Sequence, residues 1–201
     1  NGQNSEEWLH ALLPWTIRSN SKTDAAIQQE AKNNNYSQTY RIREQGKRDL
    51  GDIIDSPLTA IGPTSHGRQE FMVTAANDGM VHIFQSTNNT NNPYDLKLSY
   101  IPAAMERGGE NGSGGDTLAK TLKEVANQQY GKDAEHPHRY LINGGLTAVG
   151  TPPNQQGHRQ LFMFGAMGQG GRGAYALNIG GYNRANNTPI ALSNSNSAAW
   201  D

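Results

Sequence analysis

The sequence contains no cysteine, which excludes a disulfide framework and any zinc site built on thiolates. An excess of one charge is also missing, because 17 basic and 18 acidic residues leave a net charge of −1. Such a balance provides no basic surface for nucleic acid. No hydrophobic run approaches the roughly 18 apolar residues of a membrane span, so we expect a chain that does not cross a membrane.

The chain also lacks an initiating methionine, and its first residues, NGQNSEEWLH, do not form a signal peptide. We therefore expect these 201 residues to be an internal piece of a longer protein. Apolar residues make up only 34%, and Asn, Gln, Ser, Thr and Gly fill the shortfall. This composition is typical of a loop-rich β protein, in which polar turns separate short apolar strands.

Residues 1–45 are predicted to form a helical and irregular lead-in segment. Ser5 can cap a first helix, and Pro14 should end or kink it. A second, polar helix is predicted for KTDAAIQQEAKNN. The apolar stripe expected on the first helix consists of Trp8, Leu9, Leu12 and Leu13.

Residues 46–201 are predicted to form a partial β-propeller. The clearest hairpin is EFMVTAANDGMVHIFQS, whose strands at 70–76 and 80–86 meet at Asn77-Asp78-Gly79, since these residues suit tight turns. With SPLTAIG before it and LKLSYIPA after it, the hairpin supplies about four strands, the content of one blade. LFMFGAMGQGGRGAYALNI repeats the pattern of strand, glycine turn and strand about 90 residues later, which indicates a repeat.

A helical insertion near 116–130 separates these two strand-rich units. The segment DTLAKTLKEVANQQYG follows a glycine-rich loop, and Asp116 can cap its helix. Leu118, Leu122 and Val125 fall on one helical face and should point inward.

Gly168, Gly170 and Gly173 form a literal G-x-G-x-x-G, the spacing that cradles a pyrophosphate in dinucleotide-binding enzymes. That site requires a helix after the third glycine. The following AYALNIGG instead alternates with a period of two, which predicts a strand. No acidic residue follows about 20 positions downstream. We therefore interpret the glycines as a wide hairpin turn without a nucleotide.

Other candidate sites have simpler explanations. Asn77-Asp78-Gly79 does not continue the ligand spacing of a calcium loop. His136 and His138 flank a proline without a nearby third ligand, which favours a surface loop over a metal site. His82, on a strand, should meet solvent or a neighbouring blade. Arg172, between turn glycines, should hold neighbouring carbonyls or meet an anion.

No set of residues forms an active site, and we expect no catalytic residue, cofactor or metal ligand in this chain. Asp49, Asp52 and Asp55 cluster before a strand, where turn and capping roles suffice. The residues to which we assign turn-building roles are Asp52, Pro57, Asn77, Asp78, Gly79, Gly170, Gly171, Arg172 and Gly173.

Four segments occur in a characteristic order and spacing: RDLGDIIDSPLTAIG, TAANDGMVHIFQS, LSYIPA and GAMGQGGRGAYALNI. In these segments the chain resembles the C-terminal domain of the PilC/PilY family of type IV pilus-associated proteins. The preceding LLPWTIRS is similar to the family's Trp-Ile-Arg segment, so the resemblance covers roughly residues 8–181. The matching positions are Leu50 to Ile53, Ser56-Pro57, Ala76 to Met80, Tyr100 to Pro102 and Gly170 to Gly173.

This resemblance implies a mainly β fold, part of a modified, quinoprotein-like β-propeller with helical insertions. It implies a non-enzymatic, exported protein of the bacterial cell surface, outer membrane or pilus tip. Its roles would be pilus extension and retraction and adhesion to host cells or surfaces. Its partners would be minor pilins and an unidentified receptor. The family's acidic calcium loop would lie beyond Trp200, so calcium is expected only elsewhere in the full-length protein.

Two alternative functions stay open. A quinone-dependent dehydrogenase could use the same architecture, and its bound quinone would absorb visible light. A carbohydrate-binding module could line a groove with Tyr and Trp. For the adhesin, we expect contacts at the helix near 116–130 and at the Asn-rich loops 88–92 and 183–196.

Overall fold

The computed structural model of the chain describes residues 5–17, 22–43, 50–103, 118–192 and 198–200. The chain folds into two compact units. The first contains Asn1–Gly51 with Gly108–Arg139, and the second contains Asp52–Arg107 with Tyr140–Asp201. The domain boundary between residues 45 and 46 stays a prediction from the sequence.

The second unit is built from two antiparallel sheets of four strands each. The first sheet runs in sequence order through four strands: β1 (Thr59–Ser65), β2 (Arg68–Ala76), β3 (Met80–Ser86) and β4 (Tyr94–Tyr100). The strands of the predicted hairpin are confirmed, with Ala76 paired to Met80 across the turn.

The second sheet repeats this order with strands β5 (Leu146–Gly150), β6 (Gln160–Ala166), β7 (Ala174–Gly181) and β8 (Ala198–Trp200). The prediction of a strand after Gly173 is therefore confirmed, and no helix begins there. Both sheets have their four strands in sequence order, as expected if the predicted repeat corresponds to one sheet each.

The two sheets pack face to face through large side chains of one sheet and glycines of the other. A Cβ atom at Gly180 would lie 2.8 Å from the Phe71 ring, and one at Gly62 would lie 3.3 Å from Leu161. Because these glycines carry no side chain, they make room for Phe71 and Leu161, each of which is only 3% exposed. Buried apolar side chains of both sheets, among them Val73, Ile83, Met163 and Leu177, form the core of the unit.

The described parts of the first unit consist of helices joined by irregular segments, and the unit begins with a mixed helix. An α-helical turn, α1 (Ser5–Glu7), leads through a π-helical turn (Trp8–Leu12) into α2 (Leu13–Ile17). The helix does not end at Pro14. A proline lacks an N–H and crowds the preceding turn, and the widened π-turn directly before it accommodates both effects.

The predicted apolar stripe on this helix is partly wrong. Leu12 is 2% exposed, but Trp8 and Leu9 are 39% and 52% exposed. A π-turn contains more residues than an α-turn, so a stripe drawn with the α-helical period does not follow its surface. Ala11 and Trp15 are buried instead.

Two further helices belong to this unit. The helix α3 (Asp24–Asn33) forms where it was predicted and is capped by the preceding threonine. The helix α4 (Leu118–Val125) is shorter than the predicted helix, and its Leu122 and Val125 are buried. The expected cap, Asp116, lies outside the described residues. No helix in the described part of the chain has the length and apolarity needed to span a membrane.

A buried carboxylate connects the separate segments of the first unit. Glu7, which is 3% exposed, accepts hydrogen bonds at Oε1 from the Tyr40 hydroxyl at 2.7 Å and from the Ser37 N–H at 3.0 Å. The Lys123 Nζ atom of α4 lies 3.4 Å from the same oxygen. Burial raises the pKa of Glu7, but the bonds from Ser37 and Tyr40 and the charge of Lys123 outweigh it and lower this pKa overall.

We predict that Glu7→Gln lowers the free energy of unfolding by about 1–3 kcal/mol at pH 7, because the buried donors lose a charged acceptor. A carboxylate with a lowered folded-state pKa stabilises the protein above its ordinary pKa of about 4.3 and loses this contribution as the pH falls through the folded-state value. Urea unfolding at pH 7 and at lower pH should therefore show a weaker acid dependence in the variant.

The matched control is Glu6→Gln, since Glu6 is an exposed neighbour on the same helical turn. This control should change the unfolding free energy by no more than about 0.5 kcal/mol. Equal effects of the two substitutions would contradict the role of Glu7.

Candidate functional site

The predicted turn residues lie together at one end of the two sheets. Asn77-Asp78-Gly79 connects β2 to β3, and Gly79 has a φ of 82°, in the left-handed region that favours glycine. Asp78 Oδ1 accepts a hydrogen bond from the Met80 N–H at 3.0 Å, as in an Asx turn. The hairpin turn is thus stabilised by a hydrogen bond to the side chain of its own Asp78.

The residues before β1, 52–58, form a segment that we call the first entry segment. The Asn77 N–H donates to the Asp52 carbonyl at 2.8 Å. The Ser56 hydroxyl, 7% exposed, accepts from the Ala75 N–H at 3.1 Å. Pro57 follows on the surface. These bonds hold the segment against the turn of its own sheet.

The second entry segment, residues 141–145 before β5, joins the two sheets. The Leu141 N–H donates to Asn77 Oδ1 of the first turn at 3.1 Å. Asn143 Oδ1 accepts from the Gln169 N–H of the second turn at 2.9 Å, and Asn143 Nδ2 donates to Asp55 Oδ2 at 3.2 Å. One segment therefore binds both turns and the other entry segment. We call this arrangement the turn hub.

The G-x-G-x-x-G glycines belong to the same hub. Gly168–Gly170 forms a single 3-10 turn. A Cβ atom at Gly170 would lie 1.6 Å from the Leu141 carbonyl oxygen, and one at Gly168 would lie 2.6 Å from the Gly144 nitrogen. The glycines are needed because two backbones approach this closely, which explains the spacing without a nucleotide.

The last three residues of the glycine motif, 171–173, complete the turn between β6 and β7. Gly171 has a φ of 167°, which is extended backbone that any residue adopts. The Gly173 carbonyl accepts from the Met167 N–H at 3.0 Å and closes the turn before β7. Arg172 is exposed and makes no hydrogen bond to any residue within the described ranges, so the structure shows no carbonyl held by it.

His82 differs from its predicted environment. Its side chain is fully buried, so the expectation that it meets solvent is wrong. Nε2 lies 2.9 Å from Asp78 Oδ2 of the turn, and Nδ1 lies 2.9 Å from Ser99 Oγ of β4. Alternation along a strand predicts which face a side chain occupies, but in β3 both faces are covered, as the burial of Val81 and Ile83 also shows.

Asp, His and Ser are also the residue types of a hydrolase relay. Here a substrate could not reach the imidazole, because its side chain is 0% exposed. Ser99 lies within the regular strand β4 and not on the sharp strand-to-helix turn that exposes a hydrolase nucleophile. We interpret Asp78, His82 and Ser99 as a hydrogen-bonded chain that fixes the hairpin turn to β4.

A cleft of about 1110 Å³ lies at the opposite end of the two sheets from the turn hub. Its apolar lining includes Ile61 and Phe71 of the first sheet and Leu161 of the second. The polar and aromatic side chains that line it are Glu70, Gln85, Lys97, His158, Arg159 and Tyr182.

Two rings of this cleft are stacked on each other. The centroids of His158 and Tyr182 are 3.7 Å apart, and the ring planes differ by 9°. Asn187 Oδ1 lies 2.9 Å from His158 Nδ1 and accepts from Asn154 Nδ2 at 2.8 Å. The Tyr182 N–H donates to the Arg159 carbonyl at 2.8 Å. The hydrogen bond to Asn187 thus orients the His158 ring, and the Tyr182 ring is positioned by its stack on His158.

The structure contains no group of three or more His, Asp or Glu side chains placed to hold a metal ion, as far as the described residues show. His136, which is half-buried, pairs through Nδ1 with Asp133 Oδ1 at 2.9 Å, and His138 is exposed, so both lie in a surface loop as predicted.

Sequence reasoning did not identify Asn143, His158 or Tyr182. The dipeptide Asn143-Gly144, a common turn signal, could have drawn attention to the first. No comparable local signal marks the stacked rings.

We predict that Gly170→Ala destabilises the second unit by at least about 2 kcal/mol, because the new methyl group would collide with the Leu141 backbone and open the turn hub. Gly145→Ala is the matched control, since a Cβ atom there meets nothing within 4 Å, and it should cost no more than about 0.5 kcal/mol. Thermal and urea unfolding of both variants measure this difference. A Gly170→Ala variant as stable as the control would refute the close packing of the hub.

A scan against protein-family models matches residues 50–194 to the PilY1 beta-propeller domain. The match includes both sheets up to β7, the turn hub and the cleft. Searches of curated proteins and of solved structures found no significant match. Because the family model covers most of the chain, the protein belongs to the PilY1 beta-propeller domain family, whose members are associated with type IV pili.

Proposed function

We propose that this chain is a non-enzymatic domain of a type IV pilus protein that supports pilus extension and retraction and mediates adhesion to host cells or surfaces. The observation that carries the proposal is the family match over residues 50–194. Pilus association follows from the family, and the division into biogenesis and adhesion is our inference.

The architecture we propose is a modified, quinoprotein-like propeller with helical insertions. Two consecutive four-stranded antiparallel sheets are the form that propeller blades take. The helix α4 lies between β4 and β5 in the chain, as an insertion between two blades would. The proposed division is a lead-in at 1–45 and a partial propeller at 46–201 with the insertion near 116–130.

Two Asn-rich loops at the cleft end of the sheets, residues 88–92 and the described residues 183–192, support the adhesion role. In the first, Asn89 Oδ1 accepts from the Asn91 and Asn92 N–H groups at 2.9 and 3.3 Å. In the second, Asn183 Oδ1 accepts from the Ala185 N–H at 2.8 Å. Loops ordered by their own side chains lose less entropy on binding, so they suit a contact surface on a rigid platform.

The partners and location we propose follow from this role. Minor pilins would bind the domain within the pilus system, and a receptor on a host cell or surface would bind its loops. The protein would be exported to the cell surface, the outer membrane or the pilus tip. Any calcium dependence would come from other parts of the full-length protein, because no calcium-binding loop is recognised in this sequence.

Deleting the gene in its source bacterium should abolish surface pili, pilus-driven motility and attachment, and the wild-type gene should restore all three. A variant with residues 88–92 replaced by a Gly-Ser sequence of equal length should restore pili and motility while attachment stays at least about tenfold lower. We expect attachment alone to fall because the replacement removes the ordered contact loop and leaves the rest of the domain unchanged. Electron microscopy and counts of attached cells measure the two effects.

The matched control replaces the exposed turn 132–135 in the same way and should restore attachment. A deletion strain with normal pili and attachment would refute the proposed function. Normal attachment by the loop variant would refute the contact site while leaving the biogenesis role intact.

A further inference from the structure

We propose that the cleft of the second unit binds an oligosaccharide that carries a carboxylate, with Tyr182 as the stacking surface and Arg159 as the carboxylate ligand. This inference specifies the ligand class for the proposed adhesion and rests on that function for its biological purpose. The binding chemistry itself depends only on the residues of the cleft.

The size and lining of the cleft suit such a ligand. A volume of about 1110 Å³ lies just above the roughly 300–1,000 Å³ of small-molecule sites. The cleft therefore has room for more than a single sugar ring. Its mixture of apolar and polar lining residues matches a ligand with apolar ring faces and many hydroxyl groups.

Tyr182 offers a suitable aromatic surface for a sugar. The C–H groups on one face of a pyranose pack against aromatic rings, while the hydroxyl groups around the ring edge bind polar side chains. The stack with His158 covers one face of this ring and fixes its position, while the hydrogen bond from the Tyr182 N–H holds the backbone that carries it. A fixed platform lowers the entropy cost of binding.

Glu70 and Gln85 provide paired groups for sugar hydroxyls. Gln85 Nε2 donates to Glu70 Oε1 at 3.2 Å, across the neighbouring strands β2 and β3. A carboxylate and an amide side by side combine acceptors and a donor, which is what adjacent hydroxyl groups require. The same bond orients both side chains before a ligand arrives.

The guanidinium of Arg159 favours an acidic sugar over a neutral one. The other cation of the cleft, Lys97, pairs with Asp95 at 3.5 Å, and the carboxylate of the cleft, Glu70, is bonded to Gln85. Arg159 uses Nη1 to hold the Thr151 carbonyl at 2.8 Å, which fixes the guanidinium plane at the cleft. The other N–H groups of the fork match the geometry of a carboxylate.

The test uses the purified full chain and matched pairs of oligosaccharides that differ only in hexose against hexuronic acid, on an array and then by titration calorimetry. We expect the uronic acid members to bind more tightly. Tyr182→Ala should weaken binding at least about tenfold, whereas Tyr182→Phe, which keeps the ring, should stay within about threefold. Arg159→Gln should remove the preference for the acid while neutral sugars still bind.

Tyr140→Ala is the matched control, because Tyr140 is an exposed tyrosine that does not line the cleft, and its binding should equal wild type. Circular dichroism and melting temperatures confirm that each variant is folded. The inference is overturned if no oligosaccharide binds, if the folded Tyr182→Ala variant binds as wild type does, or if neutral members bind as tightly as acidic ones. Since purified protein is used, such a failure leaves the pilus phenotypes of the proposed function untouched.

Discussion

The hydrogen bond from the Leu141 N–H to Asn77 Oδ1 ties the turn of the first sheet to the segment that leads into the second, and the arrangement of the second unit depends on this connection. It lies at the centre of a hub in which one short segment binds the turns of both sheets. Buried backbone groups need partners, and here a side chain 64 residues distant supplies one. The absence of a side chain at Gly170 lets the same segment lie directly against the second turn. The two sheets are therefore joined by turn geometry as well as by their apolar faces.

The end of the sheets opposite the turn hub differs in its surface features. The cleft lies there, and both Asn-rich loops lead away from strand ends on the same side. Rigid strands position this end while its loops determine what it can contact, which is the usual division of roles in β platforms. The hub joins the two sheets, and the cleft end carries the residues of the binding site that we propose. In that proposal, binding residues could differ without disturbing the packing that holds the sheets.

Local patterns in the sequence predicted local structure well. The hairpin at Asn77-Asp78-Gly79 and the strand after Gly173 follow from turn chemistry and period-two alternation, and both form. Burial of His82 could not be predicted, because alternation does not say which faces are covered. Exposure of Trp8 results from a π-turn that no sequence period describes. The role of Asn143 depends on two turns distant in sequence, so only the tertiary structure shows it.

The second entry segment, residues 141–145, also affects how the second unit unfolds. Arrays of blades that touch only through neighbouring faces can in principle lose one repeat at a time, since each boundary contributes its own stability. Here, peeling the second sheet away would pull residues 141–145 out of the first hairpin as well. The pair should therefore melt as a single cooperative block, and a mechanical pull on either end of it should meet the resistance of both sheets together.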